Sequence, residues 1–149
     1  MDKRKKQYFV NLVLIGDSAV GKTTIINRLL GKAFDNLTTS TFGSICNILR
    51  FENKQLNNSD LRINIWDTVG LEKFRSTCTF CIKRADILVF VRDNLNDNYD
   101  DWIKLSAENL PIVGDSNNVY EICSNLKIIL CLNKTDLISE NEKKDYMNY

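Results

Sequence analysis

Histidine is absent from this chain, and proline occurs once, at Pro111. Cys78 and Cys81 have the CxxC spacing of half a metal site, but there is no second CxxC and no histidine, so a zinc site lacks ligands. The five cysteines (Cys46, Cys78, Cys81, Cys123 and Cys131) are odd in number and follow no framework spacing. This excludes a disulfide scaffold and points to reduced thiols in a cytoplasmic protein. Cys78 and Cys81 are expected as small, half-buried side chains on one helix face. No run approaches the roughly 20 apolar residues of a membrane-spanning helix. An excess of one charge is missing too: a net charge of +1 creates no field that would draw the chain to nucleic acid, and none is expected as a partner. The one basic cluster, Lys3-Arg4-Lys5-Lys6, reads as a solvated tail over residues 1–7. Tyr8 to Ile15 follows it as the core of a signal peptide would. However, Asn11 interrupts the run, Gly16-Asp17 follow directly, and there is no small-residue cleavage site.

What is present suits one soluble domain. The chain has 149 residues, 44% apolar and 26% charged, enough for a single core and too few for two. Tyr8 to Ile15 is almost continuously apolar and reads as a strand buried on both faces. A glycine-containing turn and a helix from Thr23 to Leu30 follow, with Gly31 placed to end it. Ser44 to Phe51 and Leu61 to Trp66 read as strands, joined by the turn-forming Asn57-Asn58-Ser59-Asp60. Glu72 to Ile82 reads as a helix, Ile87 to Val91 as a strand, Tyr99 to Leu110 as a helix broken by Pro111, and Leu126 to Leu132 as the last strand. The polar loop Gly114 to Asn118 and the short apolar stretch Val119 to Cys123 lie between those last two. Strands alternating with helices imply an α/β fold, a mostly parallel sheet with helices on both faces. Ligands of such sheets bind at the carboxyl ends of the strands.

The first strand runs into Gly16-Asp17-Ser18-Ala19-Val20-Gly21-Lys22-Thr23, which fits the P-loop pattern GxxxxGK[ST]. Glycine allows close backbone approach, and successive N–H groups then form an anion nest at a helix N-terminus. Lys22 brings an ammonium to the β- and γ-phosphates, and Thr23 offers a hydroxyl to Mg2+. Such a match arises by chance on the order of once in a few hundred chains of this length. Its place between an apolar strand and a helix makes phosphate binding the expected function. Asp67, ending the third strand, is placed to hold a metal-bound water.

The last strand ends in Asn133-Lys134-Thr135-Asp136. A carboxylate accepts only, and guanine, unlike adenine, presents paired N1–H and N2–H2 donors; Asp136 would therefore select guanine. The alkyl stem of Lys134 can lie across the base. Alone, NKxD is a weak signal that a helix cap could explain. At the end of the third motif-bearing strand it is a strong one.

With these residues the chain resembles the Ras superfamily of small GTPases, and within it the Rab branch, from about Tyr8 to Leu137. Its best segments are Gly16 to Thr24, Ser40-Thr41-Phe42-Gly43, and Ile65 to Ser76, which is similar to the Rab pattern WDTAGQERFRS. The resemblance implies a P-loop G domain over residues 8–149, with strand order 2-3-1-4-5-6, binding GTP or GDP with Mg2+. Thr24 would join the phosphate cradle, Thr41 would reach Mg2+ and the γ-phosphate, Gly70 would give its N–H to the γ-phosphate, and Phe34 would pack against guanine. Protein effectors and exchange factors would engage the switch regions, with a role in vesicle trafficking.

Several positions depart from that pattern. Leu71 stands where the family has the glutamine that orients the attacking water, and an aliphatic side chain has no group for that task. The expected consequence is hydrolysis slowed by roughly 10²-fold or more. Val69 replaces the usual alanine, adding a branched side chain close to the γ-phosphate. Cys46 and Cys81-Ile82 occupy neighbourhoods where effectors often read aromatics, while Trp66 is kept. The connection Asn94 to Asn125 is longer than usual. The final strand and helix of the family, and its prenylated cysteines, have no counterpart after the polar segment Glu140 to Tyr149. The sequence thus encodes no stable membrane anchor, any membrane contact would be transient and through partners, and exposed apolar surface is expected to favour self-association. The alternative reading is a GTP-locked or degenerate module that recruits partners without hydrolysis. A P-loop kinase is disfavoured by Asn133 to Asp136.

Overall fold

The computed structural model describes residues 6–35, 43–53, 59–70, 75–93, 99–110 and 125–139. Five strands form one sheet in the order β2-β3-β1-β4-β5: β1 (Gln7–Ile15), β2 (Ile45–Asn53), β3 (Ser59–Asp67), β4 (Ile87–Arg92) and β5 (Lys127–Leu132). β1 pairs in parallel with β3 and β4, and β4 with β5; only β2 and β3 are antiparallel. This is the expected mixed α/β sheet, with the expected order over all five strands. Three helices are described: α1 (Lys22–Leu29), α2 (Arg75–Ile82) and α3 (Asp100–Asn109). The expected start of α2 at Glu72, Asn57 and Asn58 of the expected turn, the loop and apolar stretch from Gly114 to Cys123, residues 1–5 of the basic tail and residues 140–149 lie outside the described residues. Ser59 and Asp60, expected in the turn, instead begin β3, and Gln7, expected in the tail, begins β1, because the two strand starts pair with each other.

Two apolar layers cover the sheet, divided by the period-2 alternation of strand side chains. Val13, Ile15, Leu88 and Phe90 point to one face and pack with Cys78, Cys81, Ile82 and Trp102 from α2 and α3. Leu14, Val89, Val91 and Ile65 point to the other and pack with Val20, in the turn before α1, and Ile26, in the middle of α1. Ile26 is 1% exposed, a burial that contributes roughly 1.5–3 kcal/mol.

Two expectations are corrected. β1 is buried on both faces only at Val13, Leu14 and Ile15, whereas Tyr8 and Phe9 are about half exposed. The register explains this: β4 joins β1 only from Leu12 onward, so the first half of β1 pairs with β3 alone and projects past the covered sheet. Cys78 and Cys81 are fully buried rather than half-buried, because the face of α2 that carries them is pressed onto β1 and β4. Burial pushes both thiols up from their ordinary pKa, holding them protonated and unreactive.

Candidate nucleotide site

The chemically distinctive residues collect at the carboxyl ends of β1, β3 and β5. The turn after β1 approaches the end of β4 so closely that a Cβ on Gly16, whose φ is 149°, would collide with the Val91 carbonyl oxygen. The turn then leads into α1, whose N-cap is Gly21. α1 has no side-chain cap and no acidic residue in its first turn, so its N-terminal dipole is left uncompensated and suits an anion.

Lys22, the first residue of α1, is 6% exposed. Its Nζ donates to the carbonyl oxygens of Gly16 (2.9 Å) and Asp17 (2.6 Å), arching the side chain back over the turn. Burial lowers the pKa of its ammonium, while the nearby carboxylates of Asp67 and Asp17 act the other way. A buried cation at an uncapped helix start is favourable to a polyphosphate.

Thr23 Oγ1 donates to Asp67 Oδ2 at 2.7 Å. Asp67, 2% exposed, ends β3, and its neighbour Thr68 ties β3 to β1 by donating to the Leu14 carbonyl at 2.6 Å. A hydroxyl and a carboxylate are hard oxygen donors of the kind Mg2+ takes. Among the described residues no group of three His, Cys, Asp or Glu side chains could hold a metal. A cation at Thr23 and Asp67 would need further oxygens beyond these two, and Mg2+ commonly takes several of them from phosphate and water. The donor set fits Mg2+ on those terms.

Gly70 lies against the turn: a Cβ there would collide with the Asp17 carbonyl and the Ser18 amide. Val69, beside it, is buried, and its carbonyl accepts from the Cys78 thiol at 3.6 Å. Ser18 and Ala19 are exposed on the turn, Val20 is buried beneath it, and Thr24 is half-buried on α1. Ala19 adopts a left-handed φ of 64°. Phe34 is exposed. Thr41 and Leu71 lie outside the described residues.

The β5 end joins the same place. Asn133 Nδ2 donates to the Val20 carbonyl at 2.8 Å, tying the Asn133–Asp136 loop to the turn after β1. Lys134, in a left-handed conformation with φ 54°, pairs with Asp93 at 2.6 Å. The chain then enters the 3-10 helix Thr135–Leu137, where Asp136 is exposed. Asp93, after β4, and Trp102, whose Nε1 donates to Asp17 Oδ1 at 3.0 Å, belong to the site although no motif marks them. Beside it, Cys46 faces Trp66 across β2 and β3, and Phe80 of α2 stands edge-on to Trp66 at 6.2 Å. The Arg84 guanidinium lies 3.8 Å from the Phe80 ring centroid.

Comparison with known proteins follows the same outline. Residues 11–136 match the family model for Roc, the Ras of Complex domain of DAPkinase. Over 101 residues the chain is 37% identical to Ras-related protein Rab-8A of Bos taurus and of Rattus norvegicus, covering 65% of this chain and 47% of each relative. The same figures hold for Ras-related protein Rab-8B of Bos taurus. The chain spans about half the length of the curated relatives it matches.

Proposed function

Because the chain belongs to the Ras superfamily of GTPases, as a Rab-like member, we propose that it is a guanine-nucleotide switch binding GTP and GDP with Mg2+. The observation that carries this is the convergence of three strand ends: the uncapped α1 start with buried Lys22, the Thr23–Asp67 oxygen pair, and Asp136 brought alongside by the Asn133 bond to Val20. Backbone N–H groups of the turn and the Lys22 ammonium would hold the β- and γ-phosphates. Thr23, Asp67 and Thr41 would hold Mg2+, which screens phosphate charge when bound. Asp136 would accept the two guanine donors, with Lys134 and Phe34 against the ring. Gly70, which lies against the turn, would give its N–H to the terminal phosphate.

Hydrolysis in this reading is slow. Leu71 supplies no hydrogen-bonding group to orient water, so the GTP-bound state persists and protein partners, effectors and exchange factors at the switch regions, set the timing. The Rab-like kinship supports a place in vesicle trafficking. A second reading, a module that holds GTP and recruits partners without turnover, is favoured by the same leucine. Identification of the nucleotide released on denaturing the purified protein, followed by single-turnover hydrolysis, separates them. Guanine nucleotide, with hydrolysis accelerated roughly 10²-fold in Leu71→Gln, supports a slow enzyme. No acceleration supports the module, and absence of any bound or bindable guanine nucleotide contradicts both.

A further inference from the structure

Asp17 is exposed, yet three parts of the chain converge on it. Its carbonyl accepts from Lys22 Nζ at 2.6 Å, Gly70 packs against that same carbonyl, and its carboxylate Oδ1 accepts from Trp102 Nε1 at 3.0 Å. Trp102 sits on α3, 85 positions away, 6% exposed and locked among Cys78, Cys81, Phe90 and Val13.

We propose that Trp102 is a positioning residue of the phosphate cradle, acting through Asp17. The physical need comes from the turn itself. It must present inward-facing amides to a polyanion while carrying a carboxylate of its own at the first position after Gly16. A carboxylate free to rotate inward would repel phosphate, and a turn with that freedom would lose the aligned amides that make the nest. An indole N–H held rigid by core packing gives the carboxylate one fixed partner, through a bond stronger than a neutral one because the acceptor is charged. With the side chain fixed, the Asp17 peptide is fixed too, and with it the surface against which both Lys22 and Gly70 rest. α3 thereby gains a direct mechanical connection to the nucleotide, and a shift of α3 alters how tightly nucleotide is held.

This inference rests on the nucleotide-binding reading, and its test keeps the two apart. Release of N-methylanthraniloyl-GDP in the presence of Mg2+ is measured for the full chain and for Asp17→Ala, Asp17→Asn, Trp102→Phe and the double variant Asp17→Ala/Trp102→Phe. Each of Asp17→Ala and Trp102→Phe is expected to speed release about tenfold, the loss of one charge-assisted hydrogen bond. The double variant should release no faster than either single one, because both remove the same bond. Asp17→Asn keeps an Oδ1 acceptor and should restore most of the wild-type rate. The Trp102 indole N–H resonance, distinguished from that of Trp66 by its survival in Trp66→Phe, should move in Asp17→Ala, a change that mere core packing of the indole does not produce. Should Trp102→Phe fail to fold, Asp17→Ala at its exposed position decides the matter with the resonance. Unchanged release and an unmoved resonance in Asp17→Ala would overturn this inference alone. Failure of the wild-type chain to take up the fluorescent nucleotide would overturn the binding reading and this inference with it.

Discussion

The phosphate end and the base end of the site are built in different ways. At the phosphate end, β1 and β3 finish inside the core: Ile15, Asp67 and Thr68 are buried, and Gly16 touches the β4 backbone. At the base end, β5 carries Ile128, Ile129 and Leu130 half exposed and leads to an exposed Asp136. The loop there is fixed by two side-chain links, Asn133 to Val20 and Lys134 to Asp93. On the proposed reading, recognition of phosphate, the part all nucleotides share, is thus set in main chain and core, where any change disturbs the fold. Selection of the base, on the same reading, would be set in side chains on a surface loop, where single substitutions can alter it at little cost in stability.

That contrast can be broken by substitution, beginning at the core. Gly16→Ala places a Cβ against the Val91 carbonyl at a φ that disfavours side chains; it should cost about 3 kcal/mol or more of stability, read by urea unfolding. Unfolding indistinguishable from wild type would show that the phosphate end is not core-built. Next comes Asp136→Ala, which should erase the preference for GTP over ATP by about 10²-fold while changing stability by no more than about 0.5 kcal/mol. A large loss of stability with selectivity intact would invert the contrast. Asn133→Ala removes one buried-side hydrogen bond and should weaken guanine-nucleotide affinity about fivefold to tenfold, measured by fluorescence titration. Smallest is Asp93→Ala: the Lys134 pair is partly exposed, so it should cost under about 1 kcal/mol of binding, and less at high salt.

Lys22 sharpens the same comparison through pH. Burial holds its pKa below the ordinary 10.5, so between the lowered value and 10.5 the unfolded chain binds more protons than the native one. Stability of the nucleotide-free protein therefore rises with pH across that window. Bound polyphosphate favours the ammonium and raises its pKa, so nucleotide binding should take up a proton as pH approaches the lowered value. Calorimetry in buffers of different ionisation heat measures this uptake; proton release on binding would contradict it.

The parts of the molecule that could be read in advance are those written in neighbouring residues. Gly16 to Thr23 and Asn133 to Asp136 declare their chemistry within a few positions, and the order of strands and helices follows from apolar runs separated by amphipathic ones. What escaped reading depends on distant partners. Trp102 reaches Asp17 across 85 positions and Lys134 reaches Asp93 across 41; neither has a spacing that marks it, and on α3 a lone tryptophan looks like any core aromatic. The apolar run at Tyr8 and Phe9 has the same period whether buried or exposed, and only the register of β4 on β1 decides between them. Likewise the depth of Cys78 and Cys81 follows from where α2 lies on the sheet.

The most direct test of the phosphate cradle and the guanine-selecting carboxylate together is equilibrium binding of a fluorescent GTP analogue to the folded chain. Association should require Mg2+, be reversed by unlabelled GTP or GDP, and resist a hundredfold excess of ATP over GTP, as expected of a site built to hydrogen-bond guanine. Association absent at every Mg2+ concentration, or displaced equally by ATP, would contradict it.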